Sequence, residues 1–302
     1  MTYFKTDYIM NQNVIDNYIK AGKIASQVRE EARKIVMPGV PLIEIAETLE
    51  KKIRAGGGVP AWPINISINE IAAHYSPSKG DDSKVKVGDL VKVDIGVAVE
   101  GYIADTSVSI ALDKNDEKMV EAAEKALEEA LKMVKIGADV ADIATRIEET
   151  ITKAGFKPIV NLTGHGLGQY IVHKDPKIPN HKGDFHYRLK EGEVIAIEPF
   201  ATRGQNFITE SESKEGLTYS VVEEKAVRLP EARKILQKLR ERQGMPFTDR
   251  WLDASGVGLR LAIKELSDRG IIRPYFILKG DSKISQAEHT VVVLDKPVII
   301  TR

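Results

Sequence analysis

With 302 residues, 42% hydrophobic and 29% charged, the chain has the make-up of a folded globular protein, with room for one large core or a core plus an insert. Its 44 Lys+Arg balance 44 Asp+Glu, so net charge singles out neither nucleic acid nor a membrane as an obligatory partner. The lack of cysteine excludes disulfides, thiolate nucleophiles and Cys-type zinc sites; no apolar run could span a bilayer and the opening residues lack a signal-peptide core, so a cytoplasmic location is expected.

Ile15, Ile19, Ile24, Val28, Ala32 and Ile35 recur at near-helical intervals and predict a helix over 13–36, stopped by Pro38-Gly39. A second helix is predicted over 42–53, closed by Gly56-Gly57-Gly58. Strands over 90–99 and 102–112 form a hairpin turning at Glu100-Gly101. A two-residue turn there sets Asp94 opposite Ser107 and makes Asp105 its diagonal neighbour on the same sheet face. Helices over 117–135 and 140–153 follow, split at Gly137 and closed by Gly155. Beyond them lie a strand over 194–200, helices over 230–242 and 257–269, a strand over 271–278 and a strand-like run over 288–294.

The chain repeats itself. Shifted forward by 98 positions, residues 30–57 fall on 128–155, with Gly39 on Gly137, Glu50 on Glu148 and Gly57 on Gly155. GDLVKVD at 88–94 is echoed by GEVIAIE at 192–198, and Ala104-Asp105-Thr106 by Ala287-Glu288-His289. Each half therefore reads as two helices and two strands, an α+β architecture in which every strand delivers one acid. Related halves folded about a pseudo-two-fold axis would bring Asp94, Asp105, Glu198 and Glu288 to one place. Four carboxylates in an apolar core raise each other's pKa, and metal is the simplest compensation. The second hairpin is opened by about 85 residues between 200 and 288. Two helices and a short sheet there suit a small subdomain of winged-helix type. Its 15 Lys+Arg against 10 Asp+Glu, counted between Lys214 and Ser285, suit a solvated face better than a nucleic-acid site.

His165, in the glycine-rich NLTGHGLG, adds a nitrogen to the four acids. Such a set suits Mn, Fe(II), Co or Zn. Four carboxylates balance two divalent ions, and a pair about 3.5–4 Å apart can hold a hydroxide at neutral pH and polarise a carbonyl. Taken singly, an ion-paired surface carboxylate explains each acid. Asp94 and Glu198 resist that reading because they interrupt the apolar strands VKVDIGVAV and VIAIEPF, where a charge is costly unless paired or ligated. Asp105 and Glu288 stand at the heads of β-branched runs, where a strand cap would also serve. His74 and His173 precede the metal-bearing strands of their halves and suit either a core or a substrate role. His181 and His186 read as solvated, and His289 as a packing residue on the face opposite Glu288.

The ordered set Asp94, Asp105, His165, Glu198 and Glu288, with SINEIAAHYSP, AIEPFAT and QAEHTVVV around it, resembles the dimetal site of the pita-bread metallopeptidases. Within that fold the text is most similar to type 2 methionine aminopeptidases, as found in archaea, which carry a helical insert between the last two acids. The resemblance implies a catalytic domain over 1–205 and 283–302 and an insert over 206–282. It implies removal of the initiator methionine from nascent proteins with a small second residue, by hydroxide attack on the first peptide bond. Asp94 and Asp105 would hold one ion (Co, Mn, Fe or Zn), and Asp105, His165 and Glu198 the other, with Glu288 bridging. Glu198 would shuttle a proton, while His74 and His173 would bind the substrate carbonyl. Trp62, standing where the family usually has Phe, would wall the methionine pocket with Val172 and Tyr275. A monomer working transiently near the ribosome is expected. An Xaa-Pro peptidase of the same fold is the nearest rival, and a non-catalytic binding protein the next.

Overall fold

The computed structural model describes residues 10–213 and 216–302. The first nine residues, where a signal-peptide core would stand, and Lys214, at the head of the basic segment, lie outside them.

Helix α1 spans Gln12–Ile35. The Asn11 side chain caps it by accepting from the Asn13 N–H, and Arg33 and Lys34 sit at the negative end of its dipole. Its buried face, including Tyr18, Ile24 and Val28, packs across the hairpin formed by Leu90–Val99 and Tyr102–Ala111. Helix α2 spans Leu42–Ala55. In the second copy α3 spans Lys114–Leu131 and α4 spans Val140–Lys153. α3 starts ahead of the expected Glu117 because Asp113 caps it, and gives way before Lys135 to tight turns at Met133 and Val134. The repeat extends to the backbone: Gly39 and Gly137 have φ of +91° and +80°, and Gly57 and Gly155 of +82° and +87°. Only glycine enters that left-handed region without strain, so the same residue recurs at both helix exits.

The first-half sheet centres on Leu90–Val99, flanked by Asn65–Ile68 and Tyr102–Ala111. The turn has φ of +50° at Glu100 and +80° at Gly101, as a two-residue primed turn requires. The register is the expected one, with Asp94 opposite Ser107 and Asp105 opposite Gly96. In the second half Val194–Ile197 lies between Thr163–Gly168 and His289–Val292. The expected strand over 194–200 is broken after Ile197, while the run over 288–294 forms as His289–Val292. Phe200–Thr202 pairs separately with Ile284–Gln286, leaving Glu198-Pro199 and Ala287-Glu288 between the paired stretches. Pro199 has no N–H to give to a ladder, while its carbonyl accepts from Ala287.

The two halves meet at a seam. A single bridge joins Ser107 to Glu288; Asp105 and Thr290 exchange hydrogen bonds of 2.8 and 2.7 Å, and the Thr106 hydroxyl donates to the Glu288 carbonyl. The tips of the halves also touch. Tyr170 N–H donates to the Gly101 carbonyl at 2.7 Å, and a Cβ on Gly101 would collide with the Tyr170 ring.

Within the insert α5 spans Pro230–Leu239, with proline in its first turn, and α6 spans Gly256–Asp268. Thr218–Val221 pairs with Ile272–Tyr275, and Ala232, Ile235, Phe247, Leu259 and Leu266 form a core of their own. The expected strand over 271–278 splits because its two ends serve different sheets: Leu278–Lys279 leaves the insert to pair with Ile71–Ala73. Arg250 and Glu50, both almost fully buried, form an ion pair at 2.9 Å that ties the insert to α2.

Candidate metal centre

The five expected ligands converge at the floor of a cleft of about 560 Å³, with His74, His173, Trp62, Val172 and Tyr275 also on its walls. Asp94 and Asp105 arrive on adjacent strands of the hairpin. Glu198 and Glu288 arrive from the two strand breaks. His165 comes from Thr163–Gly168, where a Cβ on either flanking glycine would strike backbone carbonyls of Ala196 or Asp175. The glycines therefore let three strands crowd together behind the imidazole.

Candidate ligand atoms of Asp105, His165 and Glu288 lie within 4.8 Å of one another. His165 Nε2 is 3.6 Å from Asp105 Oδ2 and 3.8 Å from Glu198 Oε1. Asp94 accepts from Trp62 Nε1 at 3.3 Å and from Asn65 Nδ2 at 3.4 Å. Burial pushes the Asp94 carboxyl up to about 6 against those two donors. Asp105, Glu198 and Glu288 are raised well above the carboxylate range, first by burial and then by repulsion within the cluster. Burial pulls His165 down to about 4, so its ring is neutral near pH 7 and a lone pair is available. Asp105 Oδ1 is buried without a hydrogen-bond partner. The protein's own donors leave this charge uncompensated, and the oxygen-rich set with one nitrogen fits hard or borderline divalent ions.

His74 adopts φ +71°, and its Nδ1 lies 2.9 Å from the Phe276 carbonyl. A carbonyl only accepts, so Nδ1 carries the proton, and burial lowers the ring's pKa below 6.5. His173 stands at the cleft mouth, edge-on to His165 with 4.4 Å between ring centroids. Burial, then His165 and His74, hold its pKa down.

Gln286 was not singled out in the sequence. Its amide donates to Glu198 Oε2 at 3.2 Å and to Glu288 Oε2 at 3.5 Å, joining two acids that come from opposite strand breaks. It opens the QAEHTVVV stretch that carries the resemblance, but no role was expected of it. Pro246 and Thr218 bring the insert into the cleft wall. His289 faces away from the floor, as expected: its Nδ1 accepts from Arg29 at 3.1 Å and lies 2.8 Å from Thr301 Oγ1. His186 is exposed, but His181 departs from expectation. It is half-buried, edge-on to Phe185 at 5.4 Å, with Nδ1 enclosed.

The sequence matches the model of metallopeptidase family M24 over residues 16–252. It is 43% identical to the methionine aminopeptidase of Pyrococcus abyssi over 293 residues, 95% of this chain and 99% of that protein. Among solved structures it is similar to the methionine aminopeptidase of Rickettsia prowazekii, with TM-score 0.72 and 20% identity, covering 97% of this chain and 98% of the other. A thermophilic Arx1 is similar at TM-score 0.82 and 18% identity, covering 96% and 91%. At such identities these two structures speak for the fold alone.

Proposed function

The chain belongs to metallopeptidase family M24, and on that premise we propose how its buried acids work. It is a metalloaminopeptidase that removes the N-terminal methionine of proteins whose second residue is small. The observation that carries this reading is the cleft floor: two buried carboxylates, Asp105 and Glu288, and two half-buried ones, Asp94 and Glu198, around a neutral imidazole, with one oxygen of Asp105 unpartnered. Asp94 and Asp105 would hold one divalent ion, and Asp105, His165 and Glu198 a second, with Glu288 shared as Asp105 is. Cobalt, manganese, iron and zinc all suit these donors. Bound there, the ions would supply a water activated near neutral pH and an electrophilic pull on the substrate carbonyl.

The remaining work belongs to side chains. The tautomer imposed on His74 by Phe276 leaves Nε2 with a lone pair, so it accepts from a substrate N–H. That departs from the expected carbonyl role for both histidines, and carbonyl binding falls to His173. Glu198 carries a proton from the attacking water to the leaving amine. Trp62, Val172, Tyr275 and Pro246 give the apolar wall for the methionine side chain. We treat 1–205 with 283–302 as the catalytic unit and 206–282 as an insert that completes that wall.

On this reading the enzyme acts as a cytoplasmic monomer on nascent N-termini close to the ribosome. No helix among the described residues is long and apolar enough to cross a membrane. The test is a substrate panel with metal-loaded and chelated protein, alongside elemental analysis. Methionine should be released from Met-Ala-Ser only when ions are bound, with two per chain. Preferential cleavage of Ala-Pro would replace this reading with its prolidase-like rival.

A further inference from the structure

Trp62 touches both the cleft and its floor. The indole is buried and lies face-on against Gly96, where any Cβ would collide with the ring. From that seat its N–H reaches Asp94 Oδ1 at 3.3 Å, while Asn65 Nδ2 reaches Oδ2 at 3.4 Å. The backbone on either side is pinned. Arg242 from the insert donates to the carbonyls of Pro60 and Ala61 at 3.0 Å each, and Glu50 accepts from the Ile64 N–H at 3.3 Å. Glu50 is itself held by Arg250 of the insert. An indole anchored from both sides has little freedom to turn away. Any aromatic ring would supply an apolar wall at this position; the indole also supplies a donor aimed at a carboxylate.

We propose that Trp62 is a positioning residue for Asp94: its N–H fixes the carboxylate's orientation for metal binding while its ring walls the methionine pocket. Substrate pocket and ion site then share one side chain, held in place by the insert. A donor to a metal-binding carboxylate pre-sets the ligand's angle, and losing such a contact typically weakens metal binding about 10–100-fold. This inference rests on the two-ion reading of the floor.

The test titrates metal-free protein with Co(II), following heat and the visible absorption bands that report coordination geometry. Trp62→Phe keeps an aromatic ring and removes the donor. Site-specific replacement of Trp62 by its sulfur isostere, benzothienylalanine, removes the N–H while keeping shape and volume, and so covers loss of folding in the first variant. Both should take up one of the two ions about 10–100-fold more weakly. The absorption bands of that ion should change and those of the other should not. The melting temperature of the metal-free isostere protein should stay at the wild-type value, which a merely structural role would not allow. If the isostere protein binds two ions with wild-type isotherms and bands, the inference is overturned while the two-ion reading stands. If the wild-type protein takes up no ion, both fall together.

Discussion

At the scale of single residues, the centre is held by groups that never touch substrate. Gln286 donates to Glu198 and Glu288 alike, so Gln286→Leu removes a shared donor and leaves two crowded carboxylates to repel each other. Metal affinity should fall about 10–100-fold, read by titration calorimetry; an unchanged isotherm would show the contact to be idle. Lys92, on the strand that bears Asp94, is fully buried and donates to the Asn69 carbonyl at 3.0 Å. Burial pulls its amine from 10.5 to about 7, opposed by Glu70 and Asp89. Between those values the unfolded chain holds a proton that the folded chain lacks, so stability rises with pH across that window, and below it the penalty is fully present. Lys92→Met should therefore be more stable than wild type at pH 7 and below, converging on it towards pH 10 in urea melts. A gap that does not change with pH would refute this. Asp94 and Glu198 were legible as lone charges in apolar runs, Asp105 and Glu288 through their echo of each other, and His165 through its glycine-rich octet. Gln286, Asn65 and Lys92 were not: an amide carries no such contrast, and the partners of a buried lysine depend on a register invisible in one strand.

At the scale of elements, the hairpin was readable because a two-residue turn dictates register, and the observed pairing of Asp94 with Ser107 follows from it. The break in the strand expected over 194–200 was not, since the alternation of Val194, Ala196 and Glu198 runs on through Pro199 as though pairing continued. The insert's helices announced themselves by periodicity, but its clamp did not, because Glu50 and Arg250 are distant in the chain and each alone resembles a surface charge. Trp251 adds a hydrogen bond to Glu50 at 2.7 Å, and Arg250 one to the Pro77 carbonyl at 2.7 Å. Arg250→Met strands a buried carboxylate and should cost about 3–5 kcal/mol in chemical denaturation. Because the clamp holds the Trp62 and His74 segments, KM for Met-Ala-Ser should rise, and through Trp62 the ion held by Asp94 should bind more weakly while the other is unchanged. An unchanged KM would show that the clamp does not support the pocket.

At the scale of the whole molecule, the repeat places the chemistry on the seam between halves that meet through an isolated strand bridge, a few hydroxyls and shared apolar packing. Ions held by acids of both halves would fasten that seam, so chelation should loosen the halves as well as stop catalysis. With free metal at a thousand times Kd, the folded state gains about 4 kcal/mol, and calorimetry should show the melting temperature fall on chelation and recover on re-addition. A melt indifferent to chelation would show the lobes to be self-sufficient. Far from the ions, the lobes also meet tip to tip, where the Gly101 turn receives Tyr170. Two residues past Tyr170 the chain lines the cleft with Val172 and then His173. A methyl group on that turn, as in Gly101→Ala, should act at a distance: methionine turnover slowed through a displaced histidine, the ion count untouched. One lobe's bend would thereby serve as the other lobe's doorstop, giving a bare glycine on the rim a say in how the gateway stands.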